Sequence, residues 1–247
     1  MLTVTPGETT PLVVGHEGRR YTMTDYVGRH GGERDRAGGP DGRQAYLVHQ
    51  QAPELRAHFH EVDQFQVVLD GEGTLGRDRA VRGVVHYTDA FTSYGPIRTD
   101  PAVGLAYFTL RRRADVGIHY MPDERELRRR MAAVAGEHFT IELDSDALQE
   151  GRLHEVAGTR RGARAYGVRL SAGTRLAPTG AGDGYLVVLA GALSLDGAEL
   201  PAGSLVGFDR LDELAGLAGL AGVDDGLATI VTFPASGSDG PRAPSVA

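Results

Sequence analysis

Hydrophobic positions along this chain fall in short, turn-bounded runs. Residues 43–50 (RQAYLVHQ), 58–60, 64–69 (QFQVVL), 83–87 and 103–110 (VGLAYFTL) each read as a strand, and together they predict a sandwich or barrel. The first forty residues give few regular signals, and 28–42 is a polar, glycine-rich loop. The pattern then changes period over 122–135 (PDERELRRRMAAVA). Pro122 and the acids after it suit a helix start, Leu127, Met131 and Val134 fall at helical spacing, and Gly136 suits a stop. Past this helix the strand pattern returns near 163–170, 185–189 and 228–233, before a small, polar tail from Ala235 expected to be flexible.

The two runs of strands repeat one another. Residues 65–76 (FQVVLDGEGTLG) superpose on 185–196 (YLVVLAGALSLD) at an offset of 120, and the same offset puts Gly83 on Gly203. Two blocks holding one offset imply two copies of one β-module. The expected domains are therefore 1–121, a connecting helix over 122–137, a second half over 138–234 and the tail 235–247.

Composition narrows the chemistry. Across 247 residues there is no cysteine, so thiolate ligands, disulfides and a cysteine nucleophile are excluded. Lysine is absent as well, which excludes Schiff-base chemistry. A net charge of -7 disfavours nucleic acid or an anionic membrane as partner, and the arginine clusters 111–113 and 128–130 read as solvated faces. With no long apolar stretch and no leader-like start, the expected location is the cytoplasm, as monomer or homodimer.

Candidate chemistry gathers in the first copy. In His58-Phe59-His60-Glu61-Val62-Asp63-Gln64, strand alternation puts both histidines on one face, where two imidazoles can share a divalent cation. Imidazole with oxygen ligands suits iron, manganese, nickel, copper or zinc. Gln64 is a candidate ligand or substrate contact, while Glu61 and Asp63 fall at an exposed turn. His86 and Tyr94 are further candidates. His49, Tyr46 and Tyr107 are expected in the pocket, with Val48, Phe65 and Phe108 as possible wall residues.

These residues resemble the cupin superfamily. Its first motif, H-x-H, three residues, Glu, six residues, Gly, is met by His58, His60, Gln64 and Gly71, with Gln in place of Glu. Its second motif keeps Gly83, but Asp89, Phe91 and Tyr94 stand where proline, glycine and histidine are usual. The resemblance implies an all-β fold of two cupin (double-stranded β-helix, jelly-roll) barrels joined by a short helix. It also implies a pocket holding a metal, Fe(II) first, and a small organic substrate. The leading expectation is a metal-dependent enzyme, such as an iron oxygenase, with Tyr94, Gln64 and His86 serving catalysis. The alternatives are a lyase, isomerase or cyclase using tyrosine and histidine as acid and base, and a non-catalytic binding protein. In the second copy Pro178, Thr179, Gly180, Gly184 and Leu214 replace every candidate ligand, so that half is expected to be structural or dimerising.

Overall fold

The computed structural model describes residues 1–16, 19–30, 36–37, 42–115, 117–131, 136–217 and 219–235. Antiparallel strands dominate it, and the chain divides into two compact units. Thr10–Thr140 forms one; Met1–Thr9 joins Ile141–Pro234 in the other.

Fourteen of the strands carry the argument: β1 (Leu2–Val4), β2 (Arg19–Val27), β3 (Gln44–Gln50), β4 (His58–Phe59), β5 (Gln64–Leu75), β6 (Val84–Thr88), β7 (Leu105–Arg111), β8 (His119–Tyr120), β9 (His138–Glu142), β10 (Leu153–Gly158), β11 (Arg164–Leu170), β12 (Gly184–Ala190), β13 (Leu205–Phe208) and β14 (Gly226–Thr232). In the first sheet the order is β9-β6-β5-β7-β3-β2, with Pro11–His16 beyond β2 at the edge; in the second it is β1-β13-β12-β14-β11-β10. Apart from that added edge strand the orders correspond, and so does the register. Phe65 pairs Tyr87, and 120 residues on, Tyr185 pairs Gly207. The Gly83 amide donates to the Val68 carbonyl at 3.0 Å, and the Gly203 amide to that of Val188 at 2.8 Å.

The repeated glycines have a backbone reason. Gly71 and Gly191 both have positive φ, at 87° and 62°. A Cβ there would run into the carbonyl of Gly104 in one half and of Asp225 in the other. The fold is thus all-β and present twice.

Its boundaries differ from those the sequence suggested. Each sheet takes an edge strand from outside its own run: β9, following the helix, lies beside β6, while β1 at the N-terminus pairs β13. Residues 1–9 therefore belong to the second unit, and the first runs to Thr140. A three-residue strand such as Leu-Thr-Val carries no sign of which sheet it will join. Of the expected connecting helix, Arg125–Met131 is helical; 132–135 and most of the tail, 236–247, lie outside the described residues. Part of the expected 28–42 loop is also outside them, though Arg29–His30 pairs with Arg36–Ala37. Among the described residues no helix is long and apolar enough to cross a membrane.

Candidate functional site

Inside the first unit, alternation on the paired strands stacks side chains in rows. The polar row is Thr88, Gln64, Arg111 and Gln44 across β6, β5, β7 and β3. Next comes His86, Gln66, Thr109 and Tyr46. A third row, Val68, Tyr107, Val48 and Met23, is largely apolar. Together with β4 and β8 these rows border a cavity of about 180 Å³. Tyr21, Tyr46, Tyr94, Tyr107 and Tyr120 wall it, with Met23, Val48, Leu55 and Ile118; His58, His60, Gln66, Arg111 and Asp115 are among its polar residues.

One hydrogen-bonded chain runs through the base of this cavity. His58 Nδ1 lies 2.7 Å from the Arg56 carbonyl, an acceptor, so Nδ1 carries the proton and Nε2 is left to accept. The Tyr94 hydroxyl donates to that Nε2 at 2.7 Å and accepts from Gln64 Nε2 at 2.5 Å. Gln64 Oε1 accepts from Arg111 Nε and Nη2 at 3.1 and 3.0 Å, and Arg111 Nη1 donates to Gln44 Oε1 at 2.8 Å. A second histidine is held differently: His60 Nδ1 donates to Asp115 Oδ2 at 2.6 Å, and Arg111 Nη1 is 3.6 Å from the same oxygen.

Burial sets the protonation states. It lowers His58 to about 3, helped by the neighbouring His60. His60 is also lowered, by burial and then by the Arg111 charge, with Asp115 partly opposing. Burial pushes the Tyr94 phenol well above its usual range, against a smaller opposite effect of Arg111. For Asp115 burial acts upward, but the His60 hydrogen bond and the Arg111 charge outweigh it and hold the carboxyl well below the usual range. At neutral pH the site therefore contains two uncharged imidazoles, a protonated phenol, a carboxylate and a guanidinium.

The cavity brings together His58, His60, Tyr94, Tyr46 and Tyr107, and leaves other candidates outside it. Gln64 is completely buried beneath, reaching the cavity through Tyr94 and Arg111. His86 is buried behind Tyr94, with ring centroids 5.1 Å apart and Nδ1 2.9 Å from Thr140 Oγ1. His49 does not face the pocket: one step out of phase with Val48 and Tyr46, it is exposed on the other face of β3. Phe65 and Phe108 share that fate on β5 and β7, packing against Tyr87 and Tyr26.

Arg111 is the main residue the sequence reading missed. It is 2% exposed rather than solvated, and its signal was parity: on β7 it follows Leu105, Tyr107 and Thr109 on the inward face. Asp115, beyond the strand's end, and Gln66 were missed too. Glu61, read as exposed, lies 3.0 Å from His119 Nε2, while Glu124 lies 2.6 Å from Nδ1. Stacked on Phe59 with centroids 4.8 Å apart, His119 fixes β8 against β4 and so brings Tyr120 to the cavity.

A divalent cation fits half of this donor set. His58 and His60 both have Nδ1 engaged on acceptors, the support that metal-bound imidazoles receive. The other positions fit poorly. Gln64 offers an amide already bonded to Arg111, Tyr94 a phenol that resists ionisation, and the guanidinium lies 3.4 Å from His60 Nε2. Among the described residues no three histidine or carboxylate side chains are grouped to hold a metal ion.

Solved structures share the fold. Pirin YhhW from Escherichia coli, in complex with nickel(II), matches with a TM-score of 0.56 at 9% identity, covering 94% of this chain and 98% of that one. A deletion mutant of Bacillus subtilis oxalate decarboxylase OxdC matches with a TM-score of 0.51 at 10% identity, over 95% of this chain and 77% of that one. The fold is a cupin fold, present twice. GK1651 from Geobacillus kaustophilus shares it, with a TM-score of 0.56 at 11% identity over 98% of this chain and 97% of that one. No protein-family model and no curated protein matches this chain.

Proposed function

We propose that the first cupin barrel is the active site of an enzyme that moves a proton on a small, moderately apolar organic molecule, as an isomerase, lyase or cyclase does. One observation carries this reading. A histidine buttressed by a buried carboxylate and a tyrosine hydroxyl held on a second histidine border the same tyrosine-walled cavity.

His60 is the candidate base. It is neutral at rest, and on taking a proton at Nε2 the imidazolium keeps its Nδ1–H on the Asp115 carboxylate. Asp115 therefore stabilises the charge that develops and fixes the tautomer that accepts it. Tyr94 remains protonated and acts as hydrogen-bond donor, turning its O–H from His58 to an oxygen of the substrate where negative charge accumulates. Arg111 adds positive charge beside that oxygen, and Gln64 aligns the phenol. The tyrosine walls favour a cyclic or aromatic body over a sugar phosphate.

The test uses untagged protein in deuterated buffer with a chelator and without oxygen, offered a panel of small cyclic ketones and 2-oxo acids. Deuterium should enter a carbon next to a carbonyl in a time-dependent way, and His60→Ala should abolish it. Absence of exchange across the panel would overturn the proposal.

A metal-dependent reading, with iron-dependent oxygenation as its sharpest form, rests on the two engaged Nδ1 atoms. It needs Tyr94 and Arg111 to move aside. Elemental analysis separates the two readings: near-stoichiometric iron, manganese, nickel or zinc, lost in a His58→Ala/His60→Ala double variant and accompanied by oxygen consumption, would favour the metal. A ligand-binding barrel without turnover is left if a molecule binds unchanged.

A further inference from the structure

The mechanism above makes no use of the row above Arg111. Gln66 sits at its centre, 3% exposed and lining the cavity, and its Oε1 has no hydrogen-bond partner. Its cross-strand neighbour His86 repeats the situation: Nδ1 is engaged by Thr140 Oγ1, while Nε2, equally buried, has no partner. Leaving one such group unsatisfied is costly, and two adjacent ones on neighbouring strands are unusual in a well-packed barrel.

The corresponding positions of the second barrel show that the frame does not require them. There Leu186 and Val206 occupy the same paired positions and are completely buried. Of the two unsatisfied atoms, the Gln66 amide oxygen can only accept, whereas His86 Nε2 accepts or donates according to whether the Thr140 hydroxyl accepts from Nδ1 or donates to it. The amide oxygen would be satisfied by a ligand group that donates.

We propose that Gln66 is a specificity-determining residue: its amide oxygen selects substrates carrying a hydroxyl or N–H group. The inference rests on the cavity being a small-molecule site, whichever reaction occurs there. A substrate bound by Tyr94 and Arg111 at the cavity base would present its donor group one row higher, toward β5. A molecule with that position methylated or empty would leave the amide oxygen buried and bare, which is how a polar site rejects an analogue.

The experiment measures binding of matched fragments to the full chain by calorimetry and ligand-observed NMR: phenol and aniline as donors, anisole and toluene as their capped or empty counterparts. Wild type should bind the donors roughly 10-fold or more tightly than the counterparts. In Gln66→Leu that preference should vanish while toluene binds at least as well. Gln66→Glu, which keeps an acceptor, should retain it, and guards against a misfolded leucine variant. Equal affinity of donors and counterparts for wild type, or a preference unchanged in Gln66→Leu, overturns the inference and leaves the proton-transfer proposal standing. If no fragment binds wild type, the small-molecule reading fails and the inference with it.

Discussion

The two barrels are one frame filled in two ways. In the first, the row through the middle of the sheet is His86, Gln66, Thr109 and Tyr46; in the second it is Val206, Leu186, Ile230 and Tyr166. One row down, Thr88, Gln64, Arg111 and Gln44 face Phe208, Gly184, Thr232 and Arg164. Backbone pairing is indifferent to the exchange. The second barrel closes over a continuous apolar cluster that takes in Leu186, Leu193, Val206, Leu211, Leu214 and Ile230. The first instead encloses a charge, its counter-charge and uncharged histidines. Polar residues in such a place are tolerable only when each has a partner, so the network around Arg111 is the condition for that interior to exist. The short helical turn Leu211–Ala215 sends Leu211 and Leu214 into its own barrel's core.

The sharpest way to break the comparison is to remove the charge. Arg111→Met should lower stability by about 3–5 kcal/mol in urea titration, because the buried Asp115 carboxylate loses its counter-charge and keeps only the His60 and backbone N–H bonds, while Gln64 and Gln44 lose their donor. Adding Asp115→Leu should recover most of the loss. A single variant that unfolds within 1 kcal/mol of wild type would mean that the pair is not integral to the barrel.

Exchanging the middle rows comes next. Leu186→Gln, which imports the first barrel's amide into a fully apolar setting, should cost about 3 kcal/mol through lost burial and an unsatisfied polar group. The reverse change, Gln66→Leu, should be neutral or stabilising by up to about 1 kcal/mol, since its Oε1 has no partner to lose. Chemical denaturation of both variants reads the asymmetry. A large loss on Gln66→Leu would show that the amide is needed for folding.

Acid should also find the first barrel before the second. His58 and His86 have pKa values lowered by burial to about 3, and His60 is lowered too. The unfolded chain binds these protons near pH 6.5 while the folded one refuses them. Stability is therefore complete above pH 6.5 and falls as pH drops toward 3, by up to about 1.4 kcal/mol per pH unit for each histidine. His86→Leu should flatten the slope between pH 6 and 4.5 by one histidine's share. An unchanged slope would mean that His86 takes up its proton without unfolding.

Most of this frame was legible because it is written in short-range pattern: alternation placed the strands, and an offset of 120 exposed the repeat, which slips by one residue at the last strand, where Thr109 and Arg111 correspond to Ile230 and Thr232. His58, His60, Tyr94, Tyr46 and Tyr107 could be placed together because parity and motif spacing are local. What could not be read depends on long-range pairing. That β1 completes the second sheet and β9 the first follows from no feature of those few residues. Asp115 becomes a site residue only because the chain after β7 returns to His60, 55 positions away in sequence. Arg111 was readable by parity with Tyr107 but was masked by the two arginines following it, whose company suggested a solvated face. His49 fails for the opposite reason, since a histidine beside two inward residues of β3 must itself point outward.

The smallest structural change bears most directly on the chemistry. Tyr94→Phe removes one oxygen, leaving Gln64 Nε2 and His58 Nε2 without the partner that joined them. Stability should fall by only about 1 kcal/mol, because Gln64 keeps its bonds to Arg111 and His58 its bond to the Arg56 carbonyl. Proton exchange on an accepted substrate should fall far more, by about 10²–10⁴-fold, if the hydroxyl stabilises charge in the transition state. The matching change in the other barrel, Leu214→Ala, should reverse the proportions, costing about 2–5 kcal/mol in stability with exchange per folded molecule unaltered. Measuring both quantities on both variants tests whether stability and chemistry have been divided between the barrels. A Tyr94→Phe protein that exchanges at the wild-type rate would leave His60 acting alone and would remove Tyr94 from the mechanism.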